Sequence, residues 1–266
     1  MAKEFQLFPD IRLVLDDKPV PVGENELMIC CCTGGICEYH IGNGYWYLAD
    51  DTVLALSSGL KYKFFSSKDF RGAFLIITPG TDIIDLSDIF GISAVLNDIQ
   101  LNDTLIYQAD SRIKSILSAV ITGAEKSLTS ILRLKIIELF MLLNENRPDR
   151  KSSKKAMQVG EFVCRNVSEH FTISQLSEMF DVNQTKLKSN FRSTYGCGIY
   201  SYIKKRKIFR AVELLTTSDV KIIDAAEEVG YSNASKFASA FRSVTGVTPK
   251  HFQMEHKAFI SSGNIV

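Results

Sequence analysis

Short runs of β-branched and aromatic residues, separated by turn residues, occupy the chain from about residue 10 to residue 80. In CEYHIGNGYWYLAD, aromatic and apolar positions alternate on either side of Asn43-Gly44, a pair that readily adopts the positive φ angles of a tight hairpin. Two further runs, TVLALSSGLKYKFF and RGAFLIIT, have the same character. Several short strands with regular turns predict a small barrel or sandwich, and we assign residues 8–80 to it.

After residue 80 the spacing of the apolar residues becomes helical. Residues 110–123 carry apolar side chains at intervals of three and four and end in glycine, whereas residues 127–146 are apolar around most of the helix circumference. One face of a domain cannot bury all of these side chains, so the second helix is either central or shared with a second subunit. The second interpretation predicts a homodimer, with an interface formed by Ile131, Leu132, Lys135, Leu139 and Leu142.

The polar, proline-containing segment NRPDRKSSKK at residues 146–155 separates this helical region from the rest of the chain. At 266 residues the chain is long enough for two domains. We therefore predict a regulatory and dimerisation domain over residues 1–148, a linker over residues 149–157 and a second domain over residues 158–257.

The second domain contains the same helix pattern twice. The segment NQTKLKSNFRSTYG at residues 183–196 returns as NASKFASAFRSVTG at residues 233–246, 50 positions later. Each copy follows a short amphipathic helix and a turn, begins with an asparagine that can cap a helix and ends in glycine. Two short helices joined by a tight turn form a helix-turn-helix unit. The sequence thus predicts an α+β protein whose second domain is all-α, with two such units joined by a connecting helix over residues 199–218.

Net charge differs between the two halves. Residues 1–150 contain 14 Lys and Arg against 20 Asp and Glu, a net charge of −6, whereas residues 151–266 contain 17 against 10, a net charge of +7. A basic second half favours a polyanionic partner for that half alone, although drift between two domains would also produce an asymmetry. No apolar run approaches the roughly 20 residues of a membrane span, and the start of the chain lacks a signal layout. We therefore expect a cytoplasmic protein without a membrane partner, whose six cysteines stay as thiols.

Residues from about 158 to 255 resemble the DNA-binding domain of the AraC/XylS family of bacterial transcription regulators. The resemblance is carried by ISQLSEMF, KLKSNFRSTYG, YIKKRKIFRAVELL, KIIDAAEEVGYSNASKFASAFRSVTGVTP and the closing KHF. It implies double-stranded DNA as a partner and a promoter-bound activator that works near RNA polymerase. The strand-rich half is similar, more weakly, to the cupin-like β-barrel of the same family, which implies control by a small-molecule effector or a regulatory protein.

The resemblance implies that the helices starting near residues 183 and 233 lie in the major groove. A connecting helix of about 25 Å, together with the width of the packed units, would bring them close to the roughly 34 Å of one DNA turn. Leu187, Phe191, Phe237 and Phe241 form the inward faces of these helices. The outward side chains that suit base edges are Gln184, Thr185, Lys188, Ser189, Asn233, Ser235 and Ser239. Those expected to bind phosphates are Lys186, Arg192, Lys236 and Arg242. The alternative is a solvated helix face, with the two arginines paired to neighbouring carboxylates.

Aromatic side chains of the first half could line an effector pocket, although such residues are more often core. The candidates are Tyr39, Tyr45, Trp46, Tyr47, Tyr62 and Phe64. Glu38 and His40 share a strand face, but the His-x-His pair of metal-binding cupins is missing, and CCCTGGIC lacks a Cys-x₂-Cys pair. We predict no metal, no cofactor and no catalytic residue. Two alternatives stay open: a cupin-type metalloenzyme domain fused to a DNA-binding module, and a regulator whose first half binds only a protein partner.

Overall fold

The computed structural model describes residues 2–79, 90–148, 153–217 and 219–261. The chain divides into two compact units, one formed mainly by the residues before Ser153 and the other mainly by those after it. The α+β class is confirmed, because strands dominate the start of the chain and the described residues after Ser153 form helices and loops. Residue 80 of the predicted strand-rich range and residues 149–152 of the predicted linker lie outside the described residues.

The strands of the first unit form two sheets. The larger sheet contains, in spatial order, β1 (Lys3–Phe8), β2 (Ile11–Asp16), β8 (Arg71–Ile77), β3 (Leu27–Gly34), β6 (Thr52–Leu56) and β9 (Thr104–Gln108), all paired antiparallel. The smaller sheet has the order β5 (Gly44–Leu48), β4 (Cys37–Ile41) and β7 (Tyr62–Ser66). The described strands therefore lie in two separate sheets and not in one closed barrel, and β9 follows the helix α1 (Ile92–Leu101), outside the predicted range.

Strand β3 shows why the run LMICCCTG is almost continuously apolar. It lies between β8 and β6, and its residues from Leu27 to Cys32 are all buried. Cys31 faces the main core of the unit, whereas Cys30 faces the other side, where the Tyr39 hydroxyl lies 3.9 Å from its sulfur. A central strand with both faces covered needs apolar side chains at every position. The three consecutive cysteines therefore serve as small buried side chains.

Two longer helices complete the first unit: α2 (Ser111–Glu125) and α3 (Thr129–Glu145). Helix α2 continues past Gly123, the residue at which the sequence pattern ends it. A side chain at this glycine would lie 3.2 Å from Leu132 of α3, so the glycine permits the close approach of the two helices. Helix α3 packs on both α1 and α2.

The predicted dimer interface is wrong for three of its five residues. Leu132 and Leu139 are fully buried and Leu142 is 8% exposed, all within the core of their own unit, because α3 turns this stripe toward α1, α2 and the larger sheet. Lys135 is half-buried and forms an ion pair with Glu138 at 2.7 Å. Of the five, Ile131 is the exposed apolar residue.

The second unit consists of helices of unequal length. They are α4 (Ser153–Arg165), α5 (Ile173–Met179), α6 (Gln184–Tyr195), α7 (Ile199–Thr217), α8 (Ile222–Glu228), α9 (Ala234–Thr245) and α10 (Pro249–Ser261). Helix α4 includes positions that the sequence assigns to the linker. The rings of Phe191 and Tyr202 meet edge to face with centroids 5.2 Å apart, and Phe241 contacts Phe252 at 5.6 Å. Among the described residues, no helix has both the length and the apolarity to cross a membrane.

Candidate nucleic-acid interface

The first helix-turn-helix unit consists of α5, a turn and α6. Thr172 caps α5 in a capping box: its hydroxyl accepts a hydrogen bond from Gln175 N, while the Gln175 side chain accepts one from Thr172 N. Asn183 Oδ1 accepts a hydrogen bond from Thr185 N at 2.8 Å and so caps α6. Asp181 in the turn has a φ of 47°. The capping role of Asn183 is confirmed.

The second helix-turn-helix unit consists of α8, a turn and α9, and it repeats this construction. Asn233 Oδ1 accepts a hydrogen bond from Lys236 N at 2.9 Å at the start of α9, and Gly246 ends the helix with a φ of 80°. Gly230 in the turn has a φ of 81°, and a Cβ there would lie 2.0 Å from the carbonyl oxygen of Ser168. Only glycine fits this turn, both for its dihedral angle and for the close approach.

The structure places the predicted DNA-contacting side chains on the outer surface of α6 and α9. Leu187, Phe191, Phe237 and Phe241 are buried, as the helical spacing predicts. Every residue predicted to contact a base or a phosphate is exposed: Gln184, Thr185, Lys186, Lys188, Ser189, Arg192, Asn233, Ser235, Lys236, Ser239 and Arg242. Both helices therefore present polar and basic side chains to solvent.

Neither Arg192 nor Arg242 forms an ion pair among the residues that the structure describes. The behaviour of Arg210 differs, because its guanidinium binds Glu213 at 3.0 Å and Glu228 at 3.2 Å. The alternative, in which neighbouring carboxylates neutralise the two repeat arginines, is thus not met among the described residues. Their charges stay available to an anion.

An open cleft of about 570 Å³ lies beside the outer face of α9. It is lined by Ala238, Ser239, Arg242, Ser243 and Thr248. Thr248 also caps α10, since its hydroxyl accepts a hydrogen bond from His251 N at 3.3 Å. Ser243 directly follows Arg242 on α9, and Thr248 lies just before α10, at the same cleft. The helical pattern of the sequence singles out neither residue.

The run Lys204 to Lys207 on α7 is not uniformly solvated, as a charged run usually is. Lys204 is exposed, but Arg206 and Lys207 are each only 4% exposed. The Lys207 ammonium donates hydrogen bonds to Val229 O at 2.9 Å and to Ser168 O at 3.3 Å, and burial lowers the pKa of Lys207. Four consecutive residues cover most of a helix circumference, so two of them must point inward here. No sequence signal separates the buried lysine from its exposed neighbours.

The six aromatic candidates for an effector pocket do not line one wall. Tyr39, Tyr62 and Phe64 meet in the smaller sheet, with the Tyr39 ring centroid 5.5 Å from that of Tyr62 and 6.4 Å from that of Phe64. Burial raises the pKa of Tyr62 to about 12. On β5, Trp46 points to the opposite face from Tyr45 and Tyr47, because alternate residues of a strand face opposite sides. Tyr39, Trp46 and Tyr47 are buried, Tyr45 and Tyr62 are half-buried and Phe64 is exposed.

The thiols of the first unit are shielded from solvent. Burial raises the pKa of Cys31 to about 12 and the pKa of Cys32 to about 11, and it raises the pKa values of Cys30 and Cys37 as well. Thiols held in the neutral form are poor nucleophiles and poor metal ligands. Within the described part of the chain, no group of three or more His, Cys, Asp or Glu side chains is placed to hold a metal ion.

Comparisons with known proteins match the second unit. A family profile described as a helix-turn-helix domain matches residues 176–255. The HTH-type transcriptional regulator ExsA of Pseudomonas aeruginosa is 32% identical over 98 residues, which cover 37% of this chain and 35% of ExsA. The virulence regulon transcriptional activator VirF of Yersinia enterocolitica is 28% identical over 109 residues, 41% of this chain and 38% of VirF. The chain therefore spans little more than a third of the length of these two relatives.

A solved structure, ToxT from Vibrio cholerae O395, aligns with 95% of this chain and 95% of its own at 16% identity and a TM-score of 0.37. A TM-score this low does not establish a shared fold.

Two capped helix-turn-helix units on one connecting helix, with exposed polar and basic outer faces, define a DNA-binding domain. The resemblance of residues 158–255 to the DNA-binding domain of the AraC/XylS family is confirmed.

Proposed function

We propose that the protein is a sequence-specific DNA-binding transcription regulator that inserts α6 and α9 into successive major grooves of one duplex. One observation supports this proposal above the others: the same exposed face occurs twice, on two capped helices joined by the single helix α7. Nineteen residues of α7 measure roughly 28 Å at the helical rise per residue. A rigid spacer of this length suits one turn of DNA, about 34 Å.

The base-reading roles differ between the two helices. On α6, Gln184 and Lys188 offer the side chains for adenine and guanine edges, and Thr185 can contact a thymine methyl group. On α9, the Asn233 oxygen is occupied by the cap, so only its amide nitrogen can reach a base edge and a bidentate adenine contact would break the cap. Ser235 and Ser239 form smaller contacts. Helix α9 therefore depends more on shape and methyl groups than α6 does.

Phosphate contacts would come from Lys186 and Arg192 on α6 and from Lys236 and Arg242 on α9. These contacts position the helices and dominate the salt dependence of binding without reading sequence. The proposed sign of regulation is activation, exerted near RNA polymerase. The similarity to VirF, a transcriptional activator, supports this sign. A promoter-bound protein works where the chromosome is, so the proposal includes a cytoplasmic location, and it assigns the protein no catalytic step.

The first unit is proposed to control the second, by binding either a small-molecule effector or a regulatory protein. A ligand of either kind would act by favouring one arrangement of the protein over another. The aromatic group of Tyr39, Tyr62 and Phe64 is the candidate small-molecule contact.

The same unit is proposed to form a homodimer through the exposed side of α3. This side carries Leu128, Ile131, Leu134 and Met141, which are 43–64% exposed. It replaces the buried stripe that the sequence suggested.

Selection of bound duplexes from a random library by the full chain tests the proposed function. We expect two sequence elements about one helical turn apart, and an affinity that falls steeply with salt. Arg192→Ala and Arg242→Ala should each weaken binding to all duplexes and reduce the salt slope by about one. Lys126→Ala, an exposed lysine of the first unit, is the matched control and should change neither quantity. Recovery of no enriched sequence would refute the proposal.

A further inference from the structure

The turn of each helix-turn-helix unit is bound by a lysine from the helix that precedes the unit. Lys155 of α4 donates to Phe180 O at 2.8 Å and to Asp181 O at 2.6 Å, at the end of α5. Lys207 of α7 donates to Val229 O at 2.9 Å, at the end of α8. An ammonium group suits both places, because the last carbonyls of a helix lack intrahelical donors and carry partial negative charge.

The two lysines differ in what else they bind. Lys155 joins α4 to the turn of the first helix-turn-helix unit only, and the Lys155 side chain is 48% exposed. Lys207 also donates a hydrogen bond to Ser168 O, in the α4–α5 loop that precedes the first helix-turn-helix unit. The Lys207 residue is only 4% exposed. One buried ammonium group thus joins the α4–α5 loop, which precedes the first helix-turn-helix unit, to the turn of the second helix-turn-helix unit.

The surroundings of Lys207 leave little freedom at this junction. A Cβ at Gly230 would lie 2.0 Å from Ser168 O and 2.8 Å from Lys207 Nζ, so the two backbone segments are in direct contact. The ring centroid of Tyr231 lies 5.9 Å from the ammonium nitrogen and covers it. A buried cation is costly unless hydrogen bonds compensate for its lost hydration. The carbonyl oxygens of Ser168 and Val229 compensate Lys207 only while both lie within hydrogen-bond distance of its ammonium group.

We propose that Lys207 sets the relative placement of the two helix-turn-helix units, and hence the spacing of the two DNA elements that the protein accepts. It acts as a positioning residue, through Ser168 and Val229, without touching DNA. The inference rests on the proposed function for its DNA consequence but not for its structural one. Helix α7 packs on α8 and α9, and Lys207 in addition joins the turn of the second helix-turn-helix unit to the α4–α5 loop.

The structural consequence can be measured without DNA. Spin labels at Arg192→Cys and Arg242→Cys, equivalent exposed positions of the repeat, report the distance between α6 and α9 by pulsed dipolar spectroscopy. Cys164 is half-buried and could react with the label, so it is replaced by serine in this background. The other five cysteines are buried and are kept. We expect a narrow distance distribution for the parent and a broader or shifted one for Lys207→Met. Lys155→Met is the matched control and should leave the distribution unchanged.

The DNA consequence is a change in spacing preference. Duplexes from the random selection are rebuilt with one base pair added or removed between the two elements, and affinities are measured by gel-shift titration. In Lys207→Met the preference for the selected spacing should fall by about tenfold, the size expected for loss of a charged hydrogen bond. Lys155→Met should keep the parental preference. Lys207→Arg, which retains a cationic donor, should restore most of it.

An unchanged distance distribution in Lys207→Met overturns the inference, whether or not the protein selects a DNA sequence. An unchanged spacing preference in a variant that binds DNA overturns it as well. Failure of the parent to select any sequence counts against the proposed function alone, since the distance measurement still decides the role of Lys207. If Lys207→Met loses helical signal in far-ultraviolet circular dichroism, Lys207→Gln, which keeps an uncharged amide donor group, is used for both measurements.

Discussion

Neighbouring lysines of one helix take opposite environments in this protein. Lys204 is exposed, whereas Lys207, three residues later, is buried against two carbonyl oxygens. The sequence KKRK predicts only a charged helix, because residue type is the same at both positions. The partners of Lys207 come from the α4–α5 loop and from the end of α8, which are 39 and 22 positions away. Contacts of that range are decided by packing.

At the residue scale, the two kinds of DNA contact should separate experimentally. Thr185→Ala and Ser235→Ala remove proposed base contacts and should reduce discrimination between specific and scrambled duplexes by roughly 1–3 kcal/mol. Lys236→Ala removes a proposed phosphate contact and should weaken binding to both duplexes alike. Gel-shift titrations with the two duplexes measure this. Equal losses on both duplexes for Thr185→Ala would contradict its base-reading role.

At the element scale, α3 illustrates what an apolar helix leaves open. Its sequence is apolar around most of the circumference, so periodicity does not select a buried side. The structure buries Leu132, Ile136 and Leu139 and exposes Leu134. The selection comes from α1, α2 and the larger sheet, which cover one side of α3.

The contribution of the Asp110 cap to the stability of helix α2 should depend on pH. Asp110 caps it by accepting hydrogen bonds from Ile113 N and Arg112 N, each at 3.0 Å. The hydrogen bond from Ile113, and then the Arg112 side chain, lower the pKa of Asp110 below its ordinary value of 3.8. The unfolded chain therefore binds the proton more readily. The contribution of the charged cap is complete above pH 3.8 and is lost as pH falls through the lowered folded-state value.

Asp110→Ala should thus lower the free energy of unfolding by about 1 kcal/mol near neutral pH and by less near pH 3. Urea titrations followed by circular dichroism at both pH values measure the difference. Asp110→Asn keeps an uncharged acceptor at the cap and serves as the control, with a smaller loss near neutral pH. An equal loss for Asp110→Ala at both pH values would show that its charge contributes nothing.

At the scale of the whole molecule, the proposed dimer depends on the exposed side of α3. Leu134→Glu adds a charge at a position that is 64% exposed, so it should dissociate the dimer without unfolding the unit. Light scattering coupled to size-exclusion chromatography measures the mass. Leu101→Glu, at a 72% exposed leucine of α1, is the matched control and should stay dimeric. A monomeric parent protein would refute the proposed dimer.

The sequence by itself determined the local features of this protein. It determined the α+β class, the two helix-turn-helix repeats, the capping by Asn183 and Asn233, and the outward faces of α6 and α9. These features follow from turn residues, caps and apolar spacing within some 20 residues, where backbone geometry dominates. Tertiary structure alone decided which side of α3 is buried, that the strands form two sheets, and that Lys207 joins the α4–α5 loop to the turn of the second helix-turn-helix unit. Such features depend on which surfaces pack together. The free energy of burial depends on the apolar area removed from water and not on how far apart the residues are in the sequence.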